Sequence, residues 1–237
     1  MTIRQLDAQR TELPLYRLSE AARLLAVPSS TFGTWARGYL RHRIGHSPTI
    51  AAPVLCAVAG HDGPTVPFLT LAEGMVLAAI RRAGVPMQRI RPAILALQEE
   101  IGIEHALASS RLYTDGAELL YDLAERTGSL AETKELVVVR SGQRVFTEIV
   151  ASYLTRITYG EDGYAVLLHP PAYGNREVVV DPTRSFGQPI FVSGGARVAD
   201  VLDRFYAGES LHDVAAEFGV SVADLEGAVR VSSARAA

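Results

Sequence analysis

Apolar and polar positions near the N-terminus follow the repeat of two short helices. The stretch LSEAARLLAVPSSTFGTWARG begins at Leu18. In its first half, alanine and leucine share one helical face behind Ser19, a good N-cap, and a Val-Pro pair then breaks the pattern. Phe32 and Trp35 stand three positions apart, which predicts a second helix that a serine caps and Gly38 ends. The pattern therefore predicts a helix, a short turn and a second helix.

The rest of the chain shows further helical patterns with short strands between them. Thr70 is the expected cap of a helix that runs to Arg82. The runs YAVLLHP and PIFV predict strands, and ELVVVRSGQRVF predicts a β-hairpin. An amphipathic helix is predicted over residues 198–206, and Ser210 and Ser221 are the expected caps of the last two helices. Those two helices have helix-turn-helix spacing.

Together these elements predict a mainly α fold with small β elements. The length of 237 residues suggests one or two domains, and 48% hydrophobic residues can supply their cores. We expect a winged helix-turn-helix domain with extra helices over residues 1–130 and an α/β connecting region over 131–177. A helical, helix-turn-helix-like domain is expected over 178–232.

Charge is distributed unevenly along the chain. Residues 1–50 hold seven arginines against three carboxylates, whereas the remaining residues are net acidic and the whole chain has a formal charge of -3. A basic segment attracts a polyanion such as DNA, and an acidic one repels it. The N-terminal fifth is therefore the expected nucleic-acid contact, and the acidic C-terminal unit is expected to bind protein.

Spacing alone leaves two interpretations of the N-terminal pattern open, a helical hairpin and a DNA-reading helix-turn-helix. If Phe32 and Trp35 face inward, short polar side chains and one arginine face outward, as contacts to base edges and phosphates require. These candidate contacts are Ser29, Ser30, Thr31, Thr34 and Arg37. Arg41 and Arg43 follow in a segment that predicts a wing beside the phosphate backbone, and they favour the DNA reader.

Two stretches of the N-terminal half carry residues typical of a known family. The first has Leu18, Ser19, Glu20, Ala21, Ala22, Val27, Pro28, Thr31, Trp35 and Arg37; the second has Arg81, Arg82, Gly84, Val85, Gln88, Ile90 and Arg91. In this order they resemble MerR-type and excisionase-type DNA-binding domains, which implies a winged helix-turn-helix that reads operator DNA. Ala26 replaces the usual glycine of the turn, and no sustained heptads predict the dimerising coiled coil of MerR regulators.

The C-terminal part carries a second set of typical residues. They are Asp181, Pro182, Gly187, Pro189, Ile190, Arg197, Val198, Ala207, Gly208, Glu209, Ser210 and Gly219. The segment resembles a small, widespread bacterial domain of formerly unknown function, whose members often act as antitoxins of VapBC-type toxin-antitoxin pairs. The combination with a MerR-like N-terminus resembles the longer VapB-like antitoxins.

These resemblances imply an antitoxin that neutralises a PIN-domain ribonuclease toxin and, as a homodimer, binds its own operator. Arg230 and Arg235 are candidate contacts to the toxin, because we expect them on a mobile C-terminal tail. The alternative is a MerR-like regulator without a toxin partner, which responds to a small molecule bound within residues 101–174. A neighbouring gene for a PIN-type nuclease would separate the two hypotheses.

No pattern predicts catalysis, a metal site or a cofactor. His42 and His46 have the spacing of zinc ligands on a helix, but Gly45 and Pro48 disfavour that helix. Cys56, the single cysteine, lies in an apolar run and is expected in the core. No run reaches the roughly 20 apolar residues of a membrane helix and no secretion signal is recognised, so a cytoplasmic location is expected.

Overall fold

The computed structural model describes residues 8–41, 49–55, 63–88, 90–92, 94, 105–110, 150–174 and 177–233. Within these ranges the protein is mainly helical, and its strands pair as antiparallel two-stranded sheets. The expected fold class, mainly α with small β elements, is confirmed. The predicted hairpin at ELVVVRSGQRVF lies outside the described residues. Among the described helices, none has the length and apolar character needed to cross a bilayer.

The N-terminal helix-turn-helix consists of α1 (Leu18–Leu24) and α2 (Ser29–Arg37). Both helices begin earlier than expected. Arg17 is the N-cap of α1, so Ser19 lies inside the first turn and the prediction that it caps the helix is wrong. Pro28 is the N-cap residue of α2, and its ring holds φ near the value found in a helix. No side chain makes a capping hydrogen bond to this helix.

A two-stranded wing follows the second helix. Strand β1 (Tyr39–Arg41) pairs antiparallel with β2 (Thr49–Ala51), as the sequence predicts. Beyond β2, the backbone N–H groups of Val54 and Leu55 donate to the carbonyl of Trp35 at 2.8 and 3.2 Å. These bonds attach the segment after β2 to the last turn of α2.

The longest described helix, α3 (Phe68–Arg82), forms the centre of the first core. Every residue from Phe68 to Ile80 is buried, which is typical of a helix surrounded by other elements on all sides. Its predicted end at Arg82 is confirmed. Thr70 is fully buried in the first turn rather than at the cap, because the helix begins directly after Pro67.

The described part of the connecting region packs on this first core. Strand β3 (Ile157–Tyr159) pairs with β4 (Ala165–Leu168), which confirms the strand predicted in YAVLLHP. Residues 150–180, which extend three positions beyond the expected boundary at 177, contribute Val150, Leu154, Ile157, Ala165, Leu168 and Val180 to this core. The region from 150 to 180 is therefore part of the structure around α3 rather than a free linker.

A second core lies in the C-terminal part. Its elements are β5 (Val178–Val179), β6 (Ile190–Phe191), α4 (Val198–Tyr206), α5 (Leu211–Phe218) and α6 (Val222–Ser233). Strands β5 and β6 pair antiparallel, and Phe191 is fully buried among side chains of the three helices. The predicted helix over residues 198–206 is confirmed at both ends.

Both predicted serine caps of this part are confirmed. The Ser210 hydroxyl accepts a 3.2 Å hydrogen bond from the backbone N–H of Asp213, and Ser221 accepts one of 3.1 Å from Asp224. Each bond satisfies a backbone donor that the helix start leaves without an intrahelical partner. Gly219 ends α5 with φ +65°, in the left-handed conformation that glycine adopts at little cost.

Candidate nucleic-acid interface

The inner face of α2 is fixed by two aromatic side chains. Phe32 and Trp35 are buried and pack edge to face, with ring centroids 6.2 Å apart. Gly74 of α3 allows this approach, because a Cβ there would lie 2.7 Å from Phe32 Cε2 and 2.9 Å from Leu25 Cδ1. The predicted aromatic anchors are confirmed, and they set which face of α2 is left outside.

The outer face of α2 carries the polar residues that the sequence analysis selected. Ser29, Ser30 and Arg37 are exposed, whereas Thr31 and Thr34 are half-buried. The Thr34 hydroxyl donates to the carbonyl of Thr31 at 2.7 Å, so its proton is already engaged within the helix. Ser29, Ser30 and Arg37 are thus the side chains of this set most available to a ligand.

A surface groove of about 440 Å³ lies beside α2. It is lined by Arg17, Leu18, Ser19, Ser29, Arg37, Gly63 and Thr65. Two arginines therefore line the same groove, Arg17 at the start of α1 and Arg37 at the end of α2. Within the described residues, neither Arg17 nor Arg37 forms an ion pair with a carboxylate. Unpaired arginines beside serine hydroxyls are suited to hold phosphate oxygens.

Arg17 is the groove residue that the sequence analysis missed. Its backbone N–H donates to the Glu20 carboxylate at 2.9 Å, which fixes the entry to α1. The preceding Tyr16 pairs with Val66, and the backbone N–H of Thr65 donates to the Tyr16 carbonyl at 2.9 Å. This pairing brings the 63–65 segment to the groove. Its position beside the helix-turn-helix, in a basic segment, is the feature of the sequence that could have predicted its place in the groove.

The wing begins where the chain leaves α2. Gly38 has φ +72°, and a Cβ there would lie 2.2 Å from the Ala51 carbonyl oxygen, so only glycine permits this crossing. Arg41 is the last residue of β1, the strand that directly follows α2. Arg43 lies outside the described residues. The structure thus brings Arg37 and Arg41 to two adjoining elements, as the sequence predicts.

The C-terminal helices differ from this surface in charge. Arg204 pairs with both Glu209 and Glu217, so this arginine is engaged within the protein. Arg230 lies inside α6, 3.7 Å from Glu226, which contradicts the expectation that it lies on a tail. Its side chain is nevertheless 72% exposed. Arg235 lies outside the described residues, and a role of these two arginines in partner binding stays a prediction.

A buried ionisable pair was not predicted from the sequence. Glu73 of α3 is 1% exposed, and its carboxylate lies 3.2 Å from Nδ1 of the buried His105. Both side chains belong to the interior and neither lines the groove beside α2. In the part of the chain that the structure describes, no three His, Cys, Asp or Glu residues form a group that could hold a metal ion.

Two segments of the chain match known family models. Residues 14–94 match the family described as "Putative DNA-binding HTH domain", and residues 178–230 match "Protein of unknown function (DUF433)". Over 227 residues the chain is 45% identical to "Putative antitoxin VapB45" of Mycobacterium tuberculosis, covering 93% of this chain and 94% of that protein. The chain belongs to the VapB45 family. The predicted resemblance to VapB-like antitoxins is confirmed.

Two other matches from Mycobacterium tuberculosis also cover most of the chain. "Uncharacterized protein Rv2308" is 29% identical over 220 residues, covering 91% of this chain and 88% of that protein. The X-ray crystal structure of Rv2018 superposes with a TM-score of 0.73 at 40% identity, covering 93% of this chain and 99% of that chain. The likeness to VapB45 and to Rv2018 thus extends over nearly the whole chain, including the helix-turn-helix and the C-terminal helices.

Proposed function

We propose that the chain is the antitoxin of a toxin-antitoxin pair and the repressor of its own operon. It binds operator DNA through the N-terminal helix-turn-helix and neutralises a PIN-domain ribonuclease, so it acts by binding rather than by catalysis, in the cytoplasm. The observation that carries this proposal is the 45% identity to "Putative antitoxin VapB45" over nearly the full length of both chains. The match to a DNA-binding helix-turn-helix model supports the DNA-binding half.

On DNA, α2 (Ser29–Arg37) is the recognition helix. Its exposed serines and the side chains of Thr31 and Thr34 face base edges in the major groove. Arg17 and Arg37 bind phosphates from the groove that they share, and Arg41 and Arg43 of the wing bind the backbone alongside. Phosphate contacts fix the register of the helix, while contacts to the bases select the sequence.

The proposed repressor is a homodimer that binds a two-fold operator. A single α2 of nine residues reads only a few base pairs, and two copies related by a dyad give the specificity that a genome demands. Dimeric helix-turn-helix proteins place their half-sites about 34 Å apart, one turn of the duplex. We therefore expect an inverted repeat with this spacing upstream of the gene.

Each proposed domain has its own role. The DNA reader occupies residues 1–130, the connecting region 131–177 and the toxin-binding domain 178–232. The separate second core and the acidic surface of the C-terminal helices support a protein partner for the last of these. Arg230 and Arg235 remain its proposed cationic contacts to the acidic metal site of the ribonuclease.

The test begins with the neighbouring genes, because the absence of a PIN-type ribonuclease gene contradicts the antitoxin proposal, and continues with co-expression of the chain and that ribonuclease. We expect the two proteins to co-purify, the complex to protect RNA from cleavage, and the chain to shift a promoter fragment in a gel. A chain that shifts the promoter but leaves RNA cleavage unchanged is an effector-responsive regulator instead of an antitoxin. A chain that neither inhibits the nuclease nor binds the promoter contradicts the whole proposal.

A further inference from the structure

A loop of the C-terminal part presents an aromatic ring to solvent. Residues 181–188 connect β5 and β6, and within them Phe186 is 82% exposed. The other exposed large apolar side chains of the described residues are at most 55% exposed. Single exposed apolar residues are ordinary on protein surfaces, so exposure alone assigns no role to this ring. A role is indicated by the backbone conformation of Phe186 and by the residues around it.

Three consecutive residues of this loop have left-handed φ angles. They are 48° at Ser185, 54° at Phe186 and 71° at Gly187. Glycine adopts this region freely and asparagine more readily than other side chains, whereas a bulky aromatic residue is uncommon there. Both the left-handed backbone at Phe186 and the contact of its ring with water raise the free energy of the folded protein. The exposed ring recovers neither cost by packing within the chain, which points to a contact made with another molecule.

The loop is held against the N-terminal half. The Tyr16 hydroxyl donates to the Gly187 carbonyl at 2.7 Å, and a Cβ on Gly187 would lie 2.6 Å from that hydroxyl oxygen. Gln9 Nε2 donates to the Pro182 carbonyl at 2.6 Å. Phe186 therefore projects from a supported arch rather than from a loose loop. A side chain presented in this way loses little conformational entropy when a partner binds it.

An unpaired cation stands two residues before the ring. Arg184 is exposed and forms no ion pair with any carboxylate of the described residues. Its guanidinium lies over Gly195, 3.4 Å from the position that a Cβ would take there. Arg184 and Phe186 together match a partner surface on which an apolar pocket is bordered by carboxylates. Aromatic and arginine side chains are also the commonest anchors of protein interfaces.

We propose that Phe186 and Arg184 form the anchor by which this chain docks on its ribonuclease partner. The ring enters an apolar pocket of the nuclease, and the guanidinium binds carboxylates at the rim of that pocket. This inference rests on the proposed antitoxin function and adds to it the surface that makes the contact. It assigns the main anchor of the docking to the loop between β5 and β6, in addition to the contacts proposed above for Arg230 and Arg235.

The test compares Phe186→Asn with wild type in the full-length chain. Asparagine tolerates the left-handed conformation, so we expect an unchanged or higher Tm and a ribonuclease affinity about 30-fold weaker or more. Arg184→Gln is expected to weaken binding and to reduce its salt dependence. Tyr206→Ala, which removes another exposed aromatic ring of the same part, is the matched control and is expected to leave the affinity within about twofold. Titration calorimetry and inhibition of RNA cleavage measure all four proteins.

Failure of this inference is distinct from failure of the proposed function. If wild type binds the nuclease and Phe186→Asn binds equally well, the anchor is elsewhere and the antitoxin function stands. If wild type does not bind the nuclease, both proposals fall. If Phe186→Asn lowers the Tm as well as the affinity, or if it dissociates an oligomer of the chain without affecting nuclease binding, the ring is a structural or self-association contact and the inference is wrong.

Discussion

At the scale of single residues, the backbone at Ala26 shows the cost of replacing the usual glycine in the turn of the helix-turn-helix. Ala26 stands at the turn of the helix-turn-helix where glycine is usual, and its φ is +52°. The Arg82 guanidinium donates to the Ala26 carbonyl at 2.9 Å, which fixes the turn. An alanine in the left-handed region has a steric cost that glycine does not have.

We therefore predict that Ala26→Gly stabilises the protein by about 0.5–1 kcal/mol, since relief of the steric cost exceeds the extra entropy that glycine gives the unfolded chain. Urea unfolding measures this change. The matched control is Ala216→Gly at an exposed position inside α5, which is expected to destabilise by about the same amount. Destabilisation by both substitutions would contradict the explanation.

Tyr16 is a second residue whose environment has a measurable consequence. Burial, and then the nearby Asp181 and Glu20 carboxylates, raise the pKa of its phenol well above the ordinary value of 10.0. The phenol is therefore neutral in the folded protein and remains a donor to Gly187. It connects the entry to α1 with the loop between β5 and β6.

Tyr16→Phe is expected to destabilise the protein by about 1–2 kcal/mol, because the buried Gly187 carbonyl loses a hydrogen bond that water cannot readily replace. Tyr206→Phe removes an exposed bond to Ser232 and is the control, with an expected change near zero. The midpoint of thermal or urea unfolding distinguishes the two. Equal midpoints for both variants would show that the Tyr16 bond contributes nothing.

At the scale of elements, the predicted starts of helices were less accurate than their cores. Apolar spacing located α1, α2 and α3 correctly, but Ser19 and Thr70 were chosen as caps and lie inside their helices. The N-cap residues are Arg17 and Pro67, which the capping preference for serine and threonine does not select, so packing sets the first turn of these two helices. Ser210 and Ser221 are correctly predicted, because each hydroxyl accepts the backbone N–H that the capping rule requires.

The groove shared by α1 and α2 leads to a prediction about DNA. Arg17→Gln and Arg37→Gln are each expected to weaken operator binding and to reduce the slope of log K against log salt by about 1, because each arginine neutralises a phosphate. Arg230→Gln on the last helix is the matched control and should leave both unchanged. Fluorescence anisotropy across a salt series measures the slopes. A slope unaffected by Arg17→Gln would exclude that residue from the interface.

At the scale of the whole molecule, the two ends of the chain are joined by a few contacts. Tyr173 packs against both cores, and burial raises its pKa to about 12 although Arg23 opposes the shift. The buried Arg10 forms an ion pair with Asp162, which attaches the N-terminal segment to the turn between β3 and β4. We therefore expect residues 150–174 to contribute to the stability of the N-terminal part.

The Arg10 pair predicts a pH dependence of stability. Its hydrogen bond to Asp162 lowers the pKa of that carboxyl below the ordinary 3.8, although burial opposes the shift. The contribution of the pair is complete above about pH 5 and is lost as the pH falls through the lowered pKa. Asp162→Asn is expected to cost about 1–3 kcal/mol at pH 7 and to flatten the acid limb of the stability curve. Glu161→Gln, an exposed neighbour, should leave the curve unchanged.

The sequence by itself determined the helix-turn-helix, its inward aromatic pair, the wing and the paired serine caps of the C-terminal helices. These features depend on local periodicity and turn chemistry, which are written in consecutive residues. The tertiary structure decided which groups meet: Arg17 with Arg37 in one groove, Glu73 with His105 in the core, and Tyr16 with Gly187 beneath Phe186. Such pairings join residues distant in the chain, and only packing of the cores brings them together.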